Sequence, residues 1–159
     1  MRNHKDAVRA AFGKQAEEFS RSPVMTDAAV MERMVNWMAL SGDERVLDVA
    51  CGPGLVAAAL APRARSVTGI DITPAMIARG REVAAEKGAR NVRFILGDVA
   101  HLPFAGAAFE RVVSRRSFHH FPDHAAVLSE MARVCAPGGG VVIEDQAPAG
   151  LEEHLGQLR

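Results

Sequence analysis

The stretch VLDVACGPG (residues 46–54) sets an acid, a cysteine and two glycines among apolar residues. Two further carboxylates, Asp71 in VTGIDITPAM and Asp98 in FILGDVAHLPF, each follow an apolar run. The small residues Ala50, Gly52 and Gly54 let a backbone pass close to a ligand. Gly52, Gly54 and Ala57 match GxGxxA, a form of the dinucleotide-binding turn, with Asp71 downstream as a ribose-binding acid. A carboxylate there can accept hydrogen bonds from both ribose hydroxyls, and Asp98 beside the same crevice suits an exocyclic amino group such as that of adenine. No Lys or Ser/Thr of a phosphate-binding loop follows the turn. The set is suited to an adenosine-bearing cation or zwitterion; taken alone, the glycines are equally explained by a strand and helix packing closely.

Other residues offer chemistry at lower weight. His119 and His120 in FHHF are candidate general bases, since neutral imidazole titrates near working pH, but packing is the expected role of this motif. His120 and His124 have the i, i+4 spacing of a helical metal pair; Pro122 falls between them at a predicted helix start, so no metal is expected. Arg115 and Arg116 could attract an anionic acceptor or lie solvated on the surface. Cys51 is expected to fill space in the turn, without a base to activate it. With Cys135 it makes only two cysteines, too few for a disulfide framework.

These residues need a scaffold, and the patterning supplies one. Val8, Phe12, Ala16 and Phe19 fall on one face of a predicted helix over 5–19, and Val30, Met31, Met34, Val35 and Met38 on a second. Apolar or β-branched runs at RVLDV (from 45), SVTGI (66), VRFIL (92), RVVS (111) and GVVIE (140) predict strands. Helical segments separate them, most clearly 74–87 and 122–135. Thr73 is a natural N-cap before Pro74, and Gly88 suits the C-terminal turn. The alternation predicts an α/β fold: a doubly wound, mainly parallel Rossmann-like sheet with helices on both faces. Residues 1–44 read as an N-terminal helical cap and 45–159 as the core, together one domain. In such sheets a ligand lies beyond the carboxyl ends of the strands, where strand order reverses. Nineteen basic and nineteen acidic side chains cancel, so no global field draws the chain to nucleic acid. The start MRNHKDAVRAAFGKQAEEF lacks an apolar leader, and no run approaches the roughly 20 apolar residues of a membrane span. A cytoplasmic protein with a small-molecule partner is expected.

On these motifs the chain resembles the class I S-adenosylmethionine-dependent methyltransferases, especially the group containing small-molecule and quinone-biosynthesis enzymes. The resemblance runs from about Ala11 to Asp145. VLDVACGPG is similar to the family's glycine motif, VTGIDITPAMIARGRE to its ribose-binding acid and helix, and NVRFILGDVAHLPF to its adenine loop. FERVVSRRSFHHFPD resembles the fourth strand with its active-site loop, LSEMARVCAPGGGVVIED the helix, turn and fifth strand, and FGKQAEEFSRSP a helix that in relatives closes over the cofactor. The resemblance implies S-adenosylmethionine as cofactor, S-adenosylhomocysteine as product and a small-molecule methyl acceptor. By the same implication Gly52 and Gly54 admit the methionine part, Asp48 orients that turn or the amino group, and Asp71 holds the ribose. Ile72 and Met76 pack on the adenine, although core packing explains them equally; Asp98 and the Val99 backbone read its amino edge. Ser114 and Arg115 lie near the methionine end and the acceptor.

Two departures stand out. Relatives continue past strand five into a helix and two further strands, whereas only APAGLEEHLGQLR follows Gln146. The C-terminal strands are therefore expected to be missing, strand five to be an edge, and a homodimer to be possible through it. Arg111 falls inside an expected central apolar strand and puts that strand's register in question. A noncatalytic S-adenosylmethionine-binding module and an NAD(P)-binding oxidoreductase domain remain as alternative functions.

Overall fold

A computed structural model describes residues 4–146; the tail after Gln146, with whatever it adds beyond strand five, lies outside the described residues. Five parallel strands, β1 Arg45–Val49, β2 Ser66–Asp71, β3 Val92–Leu96, β4 Phe109–Arg115 and β5 Cys135–Glu144, form one sheet in the order β3-β2-β1-β4-β5. The chain winds outward from β1 through β2 to β3, then returns to the other side of β1 as β4. The reversal therefore falls between β1 and β4. β1 is buried from Val46 to Val49, which is why its sequence is almost continuously apolar: a central parallel strand is covered on both faces.

Alternation along the strands divides the core. Val46 and Val67 face a cluster with Met34, Met38, Val56, Leu60, Ile77 and Phe94, built by α3 (Ala28–Trp37), α4 (Leu55–Leu60) and α5 (Pro74–Glu86). Leu47, Val49, Ile70 and Val112 face the opposite cluster with Phe109, Val127, Met131 and Val134, completed by α6 (His124–Val134). Asp27 caps α3 by accepting from Ala29 N and Val30 N at 3.0 and 3.1 Å, and Asp123 caps α6 through Ala126 N at 2.9 Å. Thr73 holds the N-cap position of α5 but makes no side-chain cap bond; its backbone N–H goes to Asp71 instead.

Two boundaries differ from the periodicity. The single helix expected over 5–19 is two, α1 His4–Gly13 and α2 Ala16–Arg21. The break follows Gly13, a poor helix former, and brings the Phe12 and Phe19 rings to 5.6 Å. β5 begins at Cys135 rather than Gly140, because Gly138 takes a positive φ of 75° and Gly139 passes so close to Glu110 that a Cβ would lie 2.6 Å from its carbonyl oxygen. The excess residues are absorbed as a register shift between Phe109 and Arg111. Arg111 itself fits β4: it pairs with Val46 and Gly140, and its Nε donates to the Met38 carbonyl at the end of α3 at 2.8 Å. Among the described residues no helix is long and apolar enough to cross a membrane.

Candidate functional site

The carboxyl ends of β1, β2 and β4 and the turn after β3 surround a cavity, with α1 and α2 supplying its other wall. Asp48, Gly52, Asp71, Ile72, Met76, Asp98, Val99 and Arg115 line it; Val8 and Phe12 of α1, Phe19 of α2 and Met25 close the apolar side. Ser114 and Gly54 do not line it.

The glycine turn is held in a conformation that few sequences allow. Ala50, Gly52 and Gly54 all have positive φ, 56°, 51° and 75°. Asp71 braces this turn from the neighbouring strand: Gly52 N donates to its Oδ2 and Thr73 N to its Oδ1, both at 2.9 Å. One carboxylate thus ties the turn after β1 to the start of α5. The two glycines serve different ends. A Cβ on Gly52 would meet nothing within 4 Å, whereas one on Gly54 would lie 2.7 Å from the Phe94 ring and 3.0 Å from Gly80 Cα. Gly52 keeps space open; Gly54 lets α4 and α5 pack against β3. The space beside Gly54 in its Cβ direction is filled by protein, so close packing by itself calls for glycine there.

Asp48 is 1% exposed and its Oδ2 has no hydrogen-bond partner among the described residues. Burial pushes its carboxyl up to about 8; the Ala57 backbone N–H opposes this, the Asp71 charge adds to it, and Arg115 offsets part. Asp71 is raised too, by burial, against the N–H groups of Thr73 and Gly52. The Cys51 thiol lies well above its usual range through burial and both carboxylates, which suits a space-filler rather than a nucleophile. Ser114 is also fully buried with an unpartnered Oγ.

Asp98 is engaged by a residue that no local motif marked. Lys5 of α1 donates to its Oδ2 as an ion pair, while Ala100 N donates to Oδ1 at 3.1 Å. Burial raises Asp98, but Lys5, Ala100 and His101 outweigh it and hold the carboxyl below its usual range. Arg9 Nε donates to the Ile72 carbonyl at 3.2 Å, so α1 is pinned across the cavity at two points. Arg115, 5% exposed, has its guanidinium occupied: Nε donates to Glu144 Oε2 at 2.9 Å, and the other nitrogens to the Met25 and Val24 carbonyls at 2.9 and 3.3 Å. It fastens the segment before α3 to the sheet. His120 lines the cavity and His119 does not; His119 is bonded instead to Asp145, at 2.6 Å from Nδ1 and 2.9 Å from its backbone N–H. His124 stacks on Phe118, apart from His120. Lys5, Arg9 and Asp145 left no signal because each acts across the fold; of this wall the sequence marked the apolar face with Phe12 and Phe19 and the resemblance of FGKQAEEFSRSP to a helix that closes over the cofactor.

Sheet order, glycine turn and paired strand-end acids together define a class. The chain belongs to the methyltransferase domain family of S-adenosylmethionine-dependent enzymes, whose model matches residues 46–139. It is 33% identical over 154 residues to the uncharacterized methyltransferase YcgJ of Bacillus subtilis, covering 93% of this chain and 61% of that protein. It is 39% identical over 107 residues to the demethylmenaquinone methyltransferase of Thermus thermophilus, covering 66% of this chain and 48% of the relative. The crystal structure of YcgJ superposes with a TM-score of 0.71 at 32% identity, over 80% of this chain and 56% of that one. The chain thus spans about half to three fifths of the length of these relatives. The residues present fit the family's cofactor: Asp48 offers a buried unpartnered acceptor oxygen, and Gly52 an open position, in the wall of one largely apolar cavity.

Proposed function

We propose that this chain binds S-adenosylmethionine in the cavity and transfers its methyl group to a small-molecule acceptor. The observation that carries the reading is the buried Asp48 carboxylate, one oxygen unpartnered, beside the open face of Gly52 and the Asp71 brace. An unpaired buried acceptor is costly unless a ligand satisfies it, and a cationic ammonium does so while favouring the ionised form. Asp71 has lone pairs left that would accept from ribose hydroxyls, Asp98 and the Val99 backbone would hold the adenine amino edge, and Ile72 and Met76 would pack on the ring. Ser114 and Arg115 shape the methionine end from behind, Arg115 by anchoring Met25. Bound S-adenosylmethionine supplies an electrophilic methyl on sulfur. What the chain adds is alignment and exclusion of water; alignment is worth about 7 to 11 kcal/mol in favourable cases. In this reading residues 1–44 act as the cap and 45–159 as the core, in a cytoplasmic setting that keeps Cys51 and Cys135 reduced, and copies pair through the β5 edge.

Calorimetry with S-adenosylhomocysteine and NAD tests the reading. Binding of S-adenosylhomocysteine with weaker or no binding of NAD is expected; the reverse order removes it in favour of an oxidoreductase domain. Transfer of labelled methyl to a small molecule separates an enzyme from a module that only binds.

A further inference from the structure

Lys5 and Arg115 in the cavity wall are spent on carboxylates, Lys5 on Asp98 and Arg115 on Glu144. Arg116, the half-buried residue that follows β4, lines the same cavity, yet its guanidinium has no hydrogen-bond or ion-pair partner among the described residues. Its backbone is strained: Arg116 has a φ of 52°, a left-handed conformation that suits glycine and disfavours an L side chain. Neighbouring bonds hold it there. Arg116 N donates to the Glu144 carbonyl at 2.7 Å, and the Ser117 hydroxyl lies 2.9 Å from the Arg115 carbonyl and 3.2 Å from that of Ala50, which ties this turn to the one after β1. Glu144 thus grips both arginines, Arg115 by its carboxylate and Arg116 only by its main chain. Residues that their surroundings hold in such conformations gather at ligand sites.

Resting on the reading of the site as a methyltransferase, we propose that Arg116 recognises the acceptor, and that the acceptor is a small apolar molecule carrying one carboxylate. The acids of the wall do not compete for the guanidinium. Asp48, Asp71 and Asp98 belong to the half of the cavity assigned to the cofactor, and Asp123 accepts from Ala126 N as the N-cap of α6. Beyond Ser117 and His120, the wall after β4 continues with Phe121, Pro122 and Val127, which offer an apolar body contact but no charge. A guanidinium presents parallel N–H donors that match the two oxygens of a carboxylate. A single unpaired cation balances a single negative charge; a phosphate dianion would keep one charge uncompensated against a largely apolar wall. A neutral acceptor would leave the guanidinium partly desolvated and unpaired, so the same residue favours the anion and disfavours its neutral counterpart.

The test uses the chain saturated with S-adenosylhomocysteine and paired probes, benzoate against benzamide and 2-naphthoate against 2-naphthamide, each pair alike in shape and different in charge. Titration calorimetry of the parent should show a carboxylate bound about tenfold or more tightly than its amide. Arg116→Ala should erase that preference, and Arg116→Lys, which keeps the charge but not the fork, should retain only part of it. Arg116→Gly should erase it as well, with a Tm no lower than the parent's, because glycine relieves the left-handed turn. Equal binding of both members of each pair by the parent, a preference that survives Arg116→Ala, or a preference lost in Arg116→Gly only together with a fall in Tm, the mark of a structural arginine, would each overturn the assignment. The cofactor's own carboxylate is the competing target. Should Arg116→Ala weaken binding of S-adenosylhomocysteine but not of 5′-methylthioadenosine, which lacks that carboxylate, Arg116 would belong to the cofactor and the assignment would fall too. Failure of the parent to bind S-adenosylhomocysteine at all would instead remove the methyltransferase reading.

Discussion

Asp48 couples the site to pH through a carboxyl that burial has raised to about 8. Its folded value lies above its unfolded one, so its contribution to stability is complete below about pH 4 and is lost as pH rises toward 8. Asp48→Asn should therefore raise the Tm of the ligand-free chain at pH 8 more than at pH 5. An ammonium ligand calls for the ionised form, so S-adenosylhomocysteine binding near pH 7 should release a proton. Calorimetry in buffers of different ionisation enthalpy reads that release, and a buffer-independent enthalpy would contradict it. The two glycines give a paired test. Gly52→Ala carries only the left-handed backbone penalty, about 1 to 2 kcal/mol, yet should weaken S-adenosylhomocysteine binding. Gly54→Ala adds overpacking of about 1 to 3 kcal/mol against Phe94 and Gly80, and should show mainly as a lower Tm. Equal effects of both on binding and stability would refute the division.

At the scale of elements, α1 is both wall and competitor. Its Lys5 occupies the carboxylate of Asp98 that the adenine edge would use, and its Arg9 ties it to the Ile72 carbonyl. The pair is partly exposed, so it is worth at most about 1 kcal/mol, or roughly fivefold in an equilibrium constant. Lys5→Ala should accordingly speed association of S-adenosylhomocysteine by up to about fivefold in stopped flow, with the difference shrinking at high salt. Slower association would mean that Lys5 helps rather than blocks entry. Arg115 works in the opposite sense: with Glu144 and two backbone carbonyls it fixes the segment that carries Met25, so its substitution should loosen the cavity wall without touching the ligand directly.

For the whole molecule the sheet edge matters most. β5 pairs only with β4 among the described residues, and Val141 and Ile143 on it are 37% and 38% exposed. Unpaired edge groups beside apolar side chains invite another strand. The chain should self-associate with rising concentration in sizing chromatography with light scattering, and Ile143→Lys should return it toward monomer. A strictly monomeric parent at high concentration would dismiss the edge as an interface.

Much of the site was already legible in local pattern. The turn after β1, the acids ending β2 and following β3, and the order of strands and helices follow from short-range spacing, since periodicity and turn chemistry are properties of neighbouring residues. What local spacing did not contain were encounters between residues distant in the chain: Lys5 with Asp98, His119 with Asp145, and Arg111 with the carbonyl of Met38. Gly52 and Gly54 look alike in the sequence and part company only because Phe94 and Gly80 fill the space beside one of them. The start of β5 moved for a similar reason, as Glu110 lets a glycine pass where a side chain would collide. The amino-acid order thus determined which elements form and where a ligand turn lies; which carboxylate is left unpartnered, which glycine stays open and which histidine reaches the cavity were decided by packing, because those properties depend on what the rest of the chain brings alongside.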